Sequence, residues 1–276
     1  MKDDLSDTPR ESAVRKTTQE VICGDSIEVL KTFPDESVDL TVTSPPYDNL
    51  RDYKGYSFDF EGIARELYRV TKDGGVVVWV VGDQTTNGSE SGTSFKQALY
   101  FKEIGFNLHD TMIYEKNGAP FPEVNRYYQC FEYMFVFSKG KPKTTNLLRD
   151  RKNKWEGSFG KRSQRLTDGT LQQKEAIKCE EYGVRFNFWR FNGGFGYTTQ
   201  DEIAYQHPAM FPEKLAQDHI LSWSNEGDTI LDPMCGSGTT LKMAHNLKRN
   251  YIGIDISEEY CEIARQRIKG QSQPLL

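Results

Sequence analysis

Two short stretches of this chain carry residue types that could do chemistry together. The first is Thr43-Ser44-Pro45-Pro46-Tyr47, which ends an apolar run, Val38 to Val42. That run reads as a short buried strand. Two prolines in succession cannot continue a sheet ladder, because neither has an N–H. Each also pushes the residue before it towards extended geometry. The spacing predicts a stiff turn at the carboxyl end of a strand, where open α/β sheets bind ligands. Fixed carbonyls, the Ser44 hydroxyl and the Tyr47 ring could grip a planar group by its N–H bonds and stack on its face. Alone, the motif reads more readily as an ordinary strand-ending turn.

The second stretch is Asp232-Pro233-Met234-Cys235-Gly236-Ser237-Gly238-Thr239-Thr240. A strand, Thr229 to Leu231, precedes it, and a helix, Thr239 to Leu247, follows. The next strand, Tyr251 to Ile254, ends in Asp255, and Ile256 after it is a further cofactor-side candidate. Gly236 and Gly238 let backbone approach a ligand where a Cβ would clash, and the helix start offers unpaired N–H groups. Asp255 can take two ribose hydroxyls, as acids do in dinucleotide folds. The loop is neither Gly-x-Gly-x-x-Gly nor a P-loop, so no lysine is set for a triphosphate. Asp232 suits a cation, such as an amino acid's ammonium group. Ribose, ammonium and a positive sulfonium together describe S-adenosylmethionine. Alone the loop is also a generic glycine turn; beside a Pro-Pro corner in the same sheet, it favours methyl transfer.

The elements around these stretches alternate strand and helix, the signature of an α/β sheet with crossover helices. Val21 to Cys23 is a strand candidate, and Ser26 can cap a helix over Ile27–Phe33 with Asp25 at its edge. Asp48 to Phe58, rich in Asp, Asn, Gly and Tyr, reads as a mobile loop over the corner. Helical spacing marks Asp59–Thr71, and Gly74-Gly75 ends that helix. Val76 to Val81 reads as a buried parallel-type strand. A helix over Ser94–Ile104 and strands over Leu108–Tyr114 and Phe131–Phe137 follow. Regular structure resumes at Phe211, with Pro212 in the first turn of a helix to Trp223. A last helix spans Glu258–Ile268 after Ser257.

Between these halves the character changes. Lys139 to Arg165 holds ten Lys and Arg against Asp150 and Glu156 alone, in a chain of net charge −5. Trp155 and Phe159 are interleaved. A charge run can be a solvated excursion, and a basic stripe with aromatics is also the footprint of a nucleic-acid contact. Lys141, Lys143, Arg151, Lys152, Lys154, Lys161, Arg162 and Arg165 are the candidates there. Five scattered cysteines with no Cys-x-x-Cys suit neither a zinc site nor a disulfide framework, so no metal is expected. The polar start and the lack of an 18-residue apolar stretch predict no signal peptide, no membrane span and a cytoplasmic protein.

Taken in order, these motifs resemble those of DNA amino-methyltransferases of the permuted beta class, in which the catalytic motif precedes the cofactor motif. Gly24-Asp25 resembles the adenine-contacting acidic motif of the family, and Thr43–Tyr47 its catalytic motif. His207-Pro208-Ala209-Met210-Phe211-Pro212-Glu213 resembles the cofactor-side motif before a helix. Asp232–Thr240 resembles the methionine-binding loop, with Met234-Cys235 where the family often has Phe and a small residue. Asp255 resembles the ribose-binding acid.

The resemblance implies a doubly wound, mostly parallel Rossmann-like sheet whose ordered ends lie close together. It implies a tail over 1–19, a catalytic half over 20–138, a basic recognition insert over 139–205, a cofactor half over 206–270 and a tail over 271–276. A base flipped from the duplex would stack on Tyr47 while Ser44 and the Pro45 carbonyl accept its amino hydrogens. Arg51 and Tyr53 would help hold the strand. The absence of Pro-Cys argues against cytosine C5 chemistry, and His207 and His219 read as structural. Serine at position 44 resembles the cytosine N4 branch, with adenine N6 as the alternative and RNA or protein as further substrates. DNA is the expected partner, a cognate restriction endonuclease a candidate one, and the protein a monomer or homodimer.

Overall fold

The computed structural model describes residues 19–46, 58–117, 125–159, 162–174 and 177–270. An eight-stranded sheet forms their core. In chain order its strands are β1 (Gln19–Cys23), β2 (Val38–Thr43), β3 (Thr71–Val81), β4 (Asn107–Asn117), β5 (Phe131–Ser138), β6 (Phe188–Asn192), β7 (Thr229–Asp232) and β8 (Asn250–Asp255). Across the sheet they run β1-β8-β7-β2-β3-β5-β4-β6. Every neighbouring pair is parallel except those made by β5, which opposes both β3 and β4. This is the mostly parallel α/β sheet that the alternation of elements predicts.

Helices cover both faces. α1 (Ser26–Leu30), α2 (Phe60–Val70) and α3 (Thr93–Glu103) share one apolar core with the sheet. α4 (Glu213–Trp223), α5 (Thr239–Asn246) and α6 (Glu258–Gly270) share the other. β3 shows why its sequence is a continuous apolar run. Successive side chains of a strand point to opposite faces, so Val76, Val78 and Val80 enter one core. Val77, Trp79 and Val81 enter the other. Each such side chain, fully buried, contributes roughly 1.5–3 kcal/mol. Trp79 also donates its ring N–H to Gln97 Oε1 at 2.8 Å, so its one polar atom is not stranded.

The strand order fixes where a ligand can sit. From β7 the chain passes through α5 to β8 on one side. From β2 it passes through α2 to β3 on the other side and the other face. A crevice opens where the direction reverses, between the carboxyl ends of β7 and β2. The ordered ends meet, as the permuted motif order requires: β1 pairs in parallel with β8, and Arg265 of α6 donates to the Val21 carbonyl at 3.1 Å. Among the described residues no helix is long and apolar enough to cross a membrane.

Several local expectations change. Asp25, not Ser26, caps α1: its Oδ1 accepts the N–H groups of Ile27 and Glu28. α1 stops at Leu30 rather than Phe33. β3 begins at Thr71, because Gly74 takes a left-handed φ of 78° inside the strand instead of ending it. Pro212 stands just before α4 as its cap residue rather than in its first turn. The stretch over 139–205 is not separate from the sheet throughout, since β6 within it pairs with β4 as the edge strand. Three small antiparallel pairings lie between: Arg151–Lys152 with Tyr182–Gly183, Gly157–Phe159 with Ile177–Cys179, and Arg162–Arg165 with Leu171–Lys174. Strands this short, lying over no core, carry no apolar alternation to read.

Candidate active site

A cleft of about 2050 Å³ opens at the carboxyl edge of the sheet. Small-molecule pockets run to about 300–1,000 Å³, so this one has room for a nucleoside-sized ligand and a second planar group together. Ser44, Pro45 and Pro46 line it, and so do Asp25, His207, Phe211, Asp232, Pro233, Cys235, Gly236, Thr239, Asp255 and Ile256. Two segments nearly two hundred residues apart in sequence thus share one cavity. Three expected lining residues do other work. Pro212 caps α4, and Gly238 caps α5 with a φ of 78°. Thr240 is fully buried and donates to the Val42 carbonyl at 3.0 Å.

Hydroxyl groups stitch the two segments together. Thr43, the last residue of β2, donates to Asp232 Oδ1 at 2.7 Å, and Ser26 donates to the Pro233 carbonyl at 2.5 Å. With Thr240 on Val42, three short side chains fix the Pro-Pro corner and the glycine turn in one frame. Pro45 is buried, while Ser44 and Pro46 are half-buried.

The acids of the cleft sit in different fields. Asp232 is buried, and burial pushes its carboxyl up to about 6, against the hydrogen bonds from Thr43 and the Met234 N–H. A cation beside it would favour its charged form and bring that value back down. Asp255 is also raised by burial, opposed by the N–H groups of Ser257, Gly236 and Ile256. Its Oδ2 accepts from Gly236 at 2.8 Å and its Oδ1 from Ser257 at 2.9 Å. Each carboxylate oxygen has two lone pairs, so both retain capacity for a further donor. Asp25 uses Oδ1 to cap α1 and lines the same cleft. A rim of acceptors beside a buried acid whose charge is costly suits a ligand with hydroxyls at one end and a cation at the other.

The glycines serve a purpose that spacing alone does not disclose. A Cβ on Gly236, whose φ is 49°, would come 2.7 Å from His207 Nε2, and one on Gly238 would come 2.6 Å from Ala264 Cβ. They are small because of a ring and a helix, and because both lie in the left-handed region. His207 accepts the Ala209 N–H on Nδ1 at 3.1 Å and packs edge-on against Tyr260. His219 is fully buried against Trp189, and burial pushes its imidazole down to about 3. It is neutral and structural.

Behind the turn lies a group of charges that sequence reading missed. Arg267 of α6 is wholly buried and donates to the Ser237 carbonyl at 2.7 Å, to Asp201 at 2.9 Å and to Glu213 at 2.8 Å. Lys242 of α5 reaches the same two acids, each at 2.8 Å. The four come from separate elements, so no spacing betrays them. Across the cleft, Lys116 of β4 pairs with Glu132 of β5 at 2.7 Å, and both line it.

Among the described residues, none of Lys141, Lys143, Arg151, Lys152, Lys154 and Arg165 lines this cleft. Lys143 packs on Gly74 at the start of β3, and its N–H donates to the Gly74 carbonyl at 3.0 Å. Lys141 lies beside it. At about 3.3 Å per residue they stand roughly 20 Å from the Val81 end of β3, at the opposite rim of the sheet. Arg151 is held by the Val184 carbonyl and the face of Phe186, away from the cleft lining, and Lys152, Lys154 and Arg165 are exposed. Tyr47, Arg51, Tyr53, Lys161, the loop from Asp48 and the tails to 18 and from 271 lie outside the described residues. For Arg162 only the strand position is described.

A parallel sheet with one reversed strand, and a glycine turn facing a proline corner across its switch point, is the fold of a methyltransferase. It is similar to the structure of the PvuII cytosine-N4-specific DNA methyltransferase, with a TM-score of 0.66 at 21% identity over 91% of this chain and 86% of that one. It is also similar to an S-adenosylmethionine complex of the DNA modification methylase TTHA0409 from Thermus thermophilus, with a TM-score of 0.59 at 22% identity over 93% and 97%. A family profile for N6/N4 DNA methylases matches residues 38–266. The orphan methyltransferase M.BamHII of Bacillus amyloliquefaciens is 65% identical over 85% of this chain and 90% of its own length. M.SmaI of Serratia marcescens, a type II methyltransferase, is 26% identical over 90% of each. The chain belongs to the N6/N4 DNA methylase family and is a DNA amino-methyltransferase. That family is S-adenosylmethionine-dependent.

Proposed function

We propose that this protein is a site-specific DNA methyltransferase acting on the exocyclic amine of a base turned out of the duplex, with cytosine N4 favoured. The observation that carries the reading is the shared cleft, in which the Ser44-Pro45-Pro46 corner faces the Asp232–Gly236 turn. A base stacked in a duplex cannot reach a corner on a sheet edge and must be flipped. Tyr47 follows the corner directly in sequence, and stacking on such a ring contributes about 1–3 kcal/mol per base. The Ser44 hydroxyl and the Pro45 carbonyl accept the two amino hydrogens. An exocyclic amine is a poor nucleophile because its lone pair is delocalised into the ring. Accepting both hydrogens favours a pyramidal nitrogen with its lone pair free to attack.

S-adenosylmethionine, when bound, supplies an electrophilic methyl on a sulfonium. Asp255 and Asp25 are assigned to its adenosine end, and Asp232 with the 234–239 turn to its amino-acid end. His207 and Tyr260 hold the shape of that turn. As the nitrogen–carbon bond forms, the sulfur–methyl bond would break with its electron pair left on a neutral thioether, and the surplus proton on nitrogen would pass to solvent. Positioning and electrostatics carry most of the rate, with no covalent enzyme intermediate.

The neutral hydroxyl of Ser44 favours cytosine N4, and the cytosine-N4 specificity of the PvuII enzyme agrees with it. Adenine N6 is the second reading, because the corner grips an amine and not a ring size. A type II modification role follows the relatives' names, with a cognate endonuclease as candidate partner. The domain division, with 139–205 as the recognition insert, belongs to the same proposal. Nucleoside mass spectrometry of DNA treated with the protein tests the chemistry. N4-methylcytosine is expected; N6-methyladenine alone selects the second reading, and methyl transfer confined to RNA or protein overturns both.

A further inference from the structure

We propose that Cys23, Glu258 and Cys261 form a binding site for a thiophilic divalent cation, with zinc as the type. Cys23 is the last residue of β1, and Glu258 and Cys261 lie one turn apart on α6. One ligand atom from each lies within 4.8 Å of the other two. Tetrahedral zinc bonds sulfur at about 2.3 Å and carboxylate oxygen at about 2.0–2.2 Å, so its ligands stand roughly 3.5–4 Å apart. Side-chain rotation alone closes that difference. Thiolate pairs select soft cations over magnesium or calcium.

The surroundings agree with such an occupant. Residues i and i+3 of a helix share a face, so Glu258 and Cys261 point the same way. The start of α6 places helix N–H groups near the anionic ligands. Cys261 is buried, whereas Cys23 and Glu258 are exposed, so the site has a closed floor and a solvent side where water can complete four-coordination. At present the thiols donate weakly to carbonyls: Cys23 to Ile256, and Cys261 to Ile22 and Asp255, each at 3.6 Å. Binding releases both thiol protons to solvent, which leaves a neutralised dithiolate. One competitor is present. Arg265 holds Glu258 Oε1 at 2.6 Å, but it also stands 3.7 Å from Glu262, to which it can turn when the cation takes Glu258.

The site would act on the sheet rather than on the chemistry. None of the three residues lines the catalytic cleft. Among the described residues β1 is an edge strand that pairs with β8 alone. A cation here clips that edge to the last helix and cross-links the two ends of the described chain, where loop closure is longest.

The test uses the full-length chain, reduced with a phosphine and stripped of metal. Cobalt(II) is titrated in and then displaced with zinc. Expected are a thiolate-to-cobalt charge-transfer band saturating at about one ion per chain and a higher Tm with zinc. The exposed variants Cys23→Ser and Glu258→Gln should each weaken binding at least about tenfold, by analogy with outer-sphere losses of that size. Both should lose the Tm gain, while Cys130→Ser keeps band and gain. Metal-free Cys23→Ser should methylate DNA like the parent chain. A parent chain without a saturable band, or a band that survives Cys23→Ser, overturns the proposal.

Discussion

Burying a carboxylate costs free energy until a cation arrives to share the site. Asp232 is in that position, with its folded pKa pushed up to about 6 by burial. An unfolded aspartate titrates near 3.9, so the folded state holds the proton more tightly. Its contribution to stability is therefore full below about pH 4 and is lost as pH rises through about 6. Asp232→Asn should then stabilise the empty protein above that window, by up to roughly 3 kcal/mol, and make no difference near pH 4. Denaturant unfolding at several pH values checks this; a gap independent of pH would remove titration as its cause. Ser44→Ala should lower kcat about a hundredfold with cofactor Kd nearly unchanged. Asp255→Ala should raise cofactor Kd at least about tenfold. Equal effects of either variant on both constants would count against the assigned roles. These three residues were legible because each ends a strand that the sequence marks plainly. The reason for Gly236 and Gly238 was not, because the side chains that demand them, His207 and Ala264, are remote in the chain.

α5 and α6 carry a second device, the buried pair Lys242 and Arg267. Removing one member of such a cluster leaves charges unbalanced out of water. Arg267→Met should cost on the order of 3 kcal/mol in urea unfolding and raise cofactor Kd, since the Ser237 carbonyl loses its donor. A stable variant with unchanged Kd would show that the cluster does not position the turn. Element types were readable along most of the sheet, because period and capping residues agree there. The exceptions have local causes. β6 lies in a stretch with exposed aromatics and no flanking alternation, so its pairing with β4 was invisible. The charge run over 139–165 could be counted but not placed, since chain length alone does not tell which rim of a sheet Lys141 and Lys143 will meet.

The whole molecule explains why a permuted order folds at all. β1 lies against β8 and α6, so joining residue 270 to residue 19 through a short linker moves no element. A circular permutant so joined, opened in the exposed stretch near Asp168, should fold and methylate DNA within about tenfold of the parent. An insoluble or unfolded product would show that the native connection is needed. Motif order was the part of the architecture most open to reading, because it depends on sequence alone.

The Asp232 carboxyl has one more consequence at this scale. On the proposed reading, an ammonium group arriving in the cleft turns a half-protonated acid into an anion. Loading near pH 6 should therefore expel about half a proton per molecule on average, and departure of spent ligand should recapture it. Calorimetry in buffers of unequal ionisation enthalpy would register the exchange as a buffer-dependent heat, absent in Asp232→Asn.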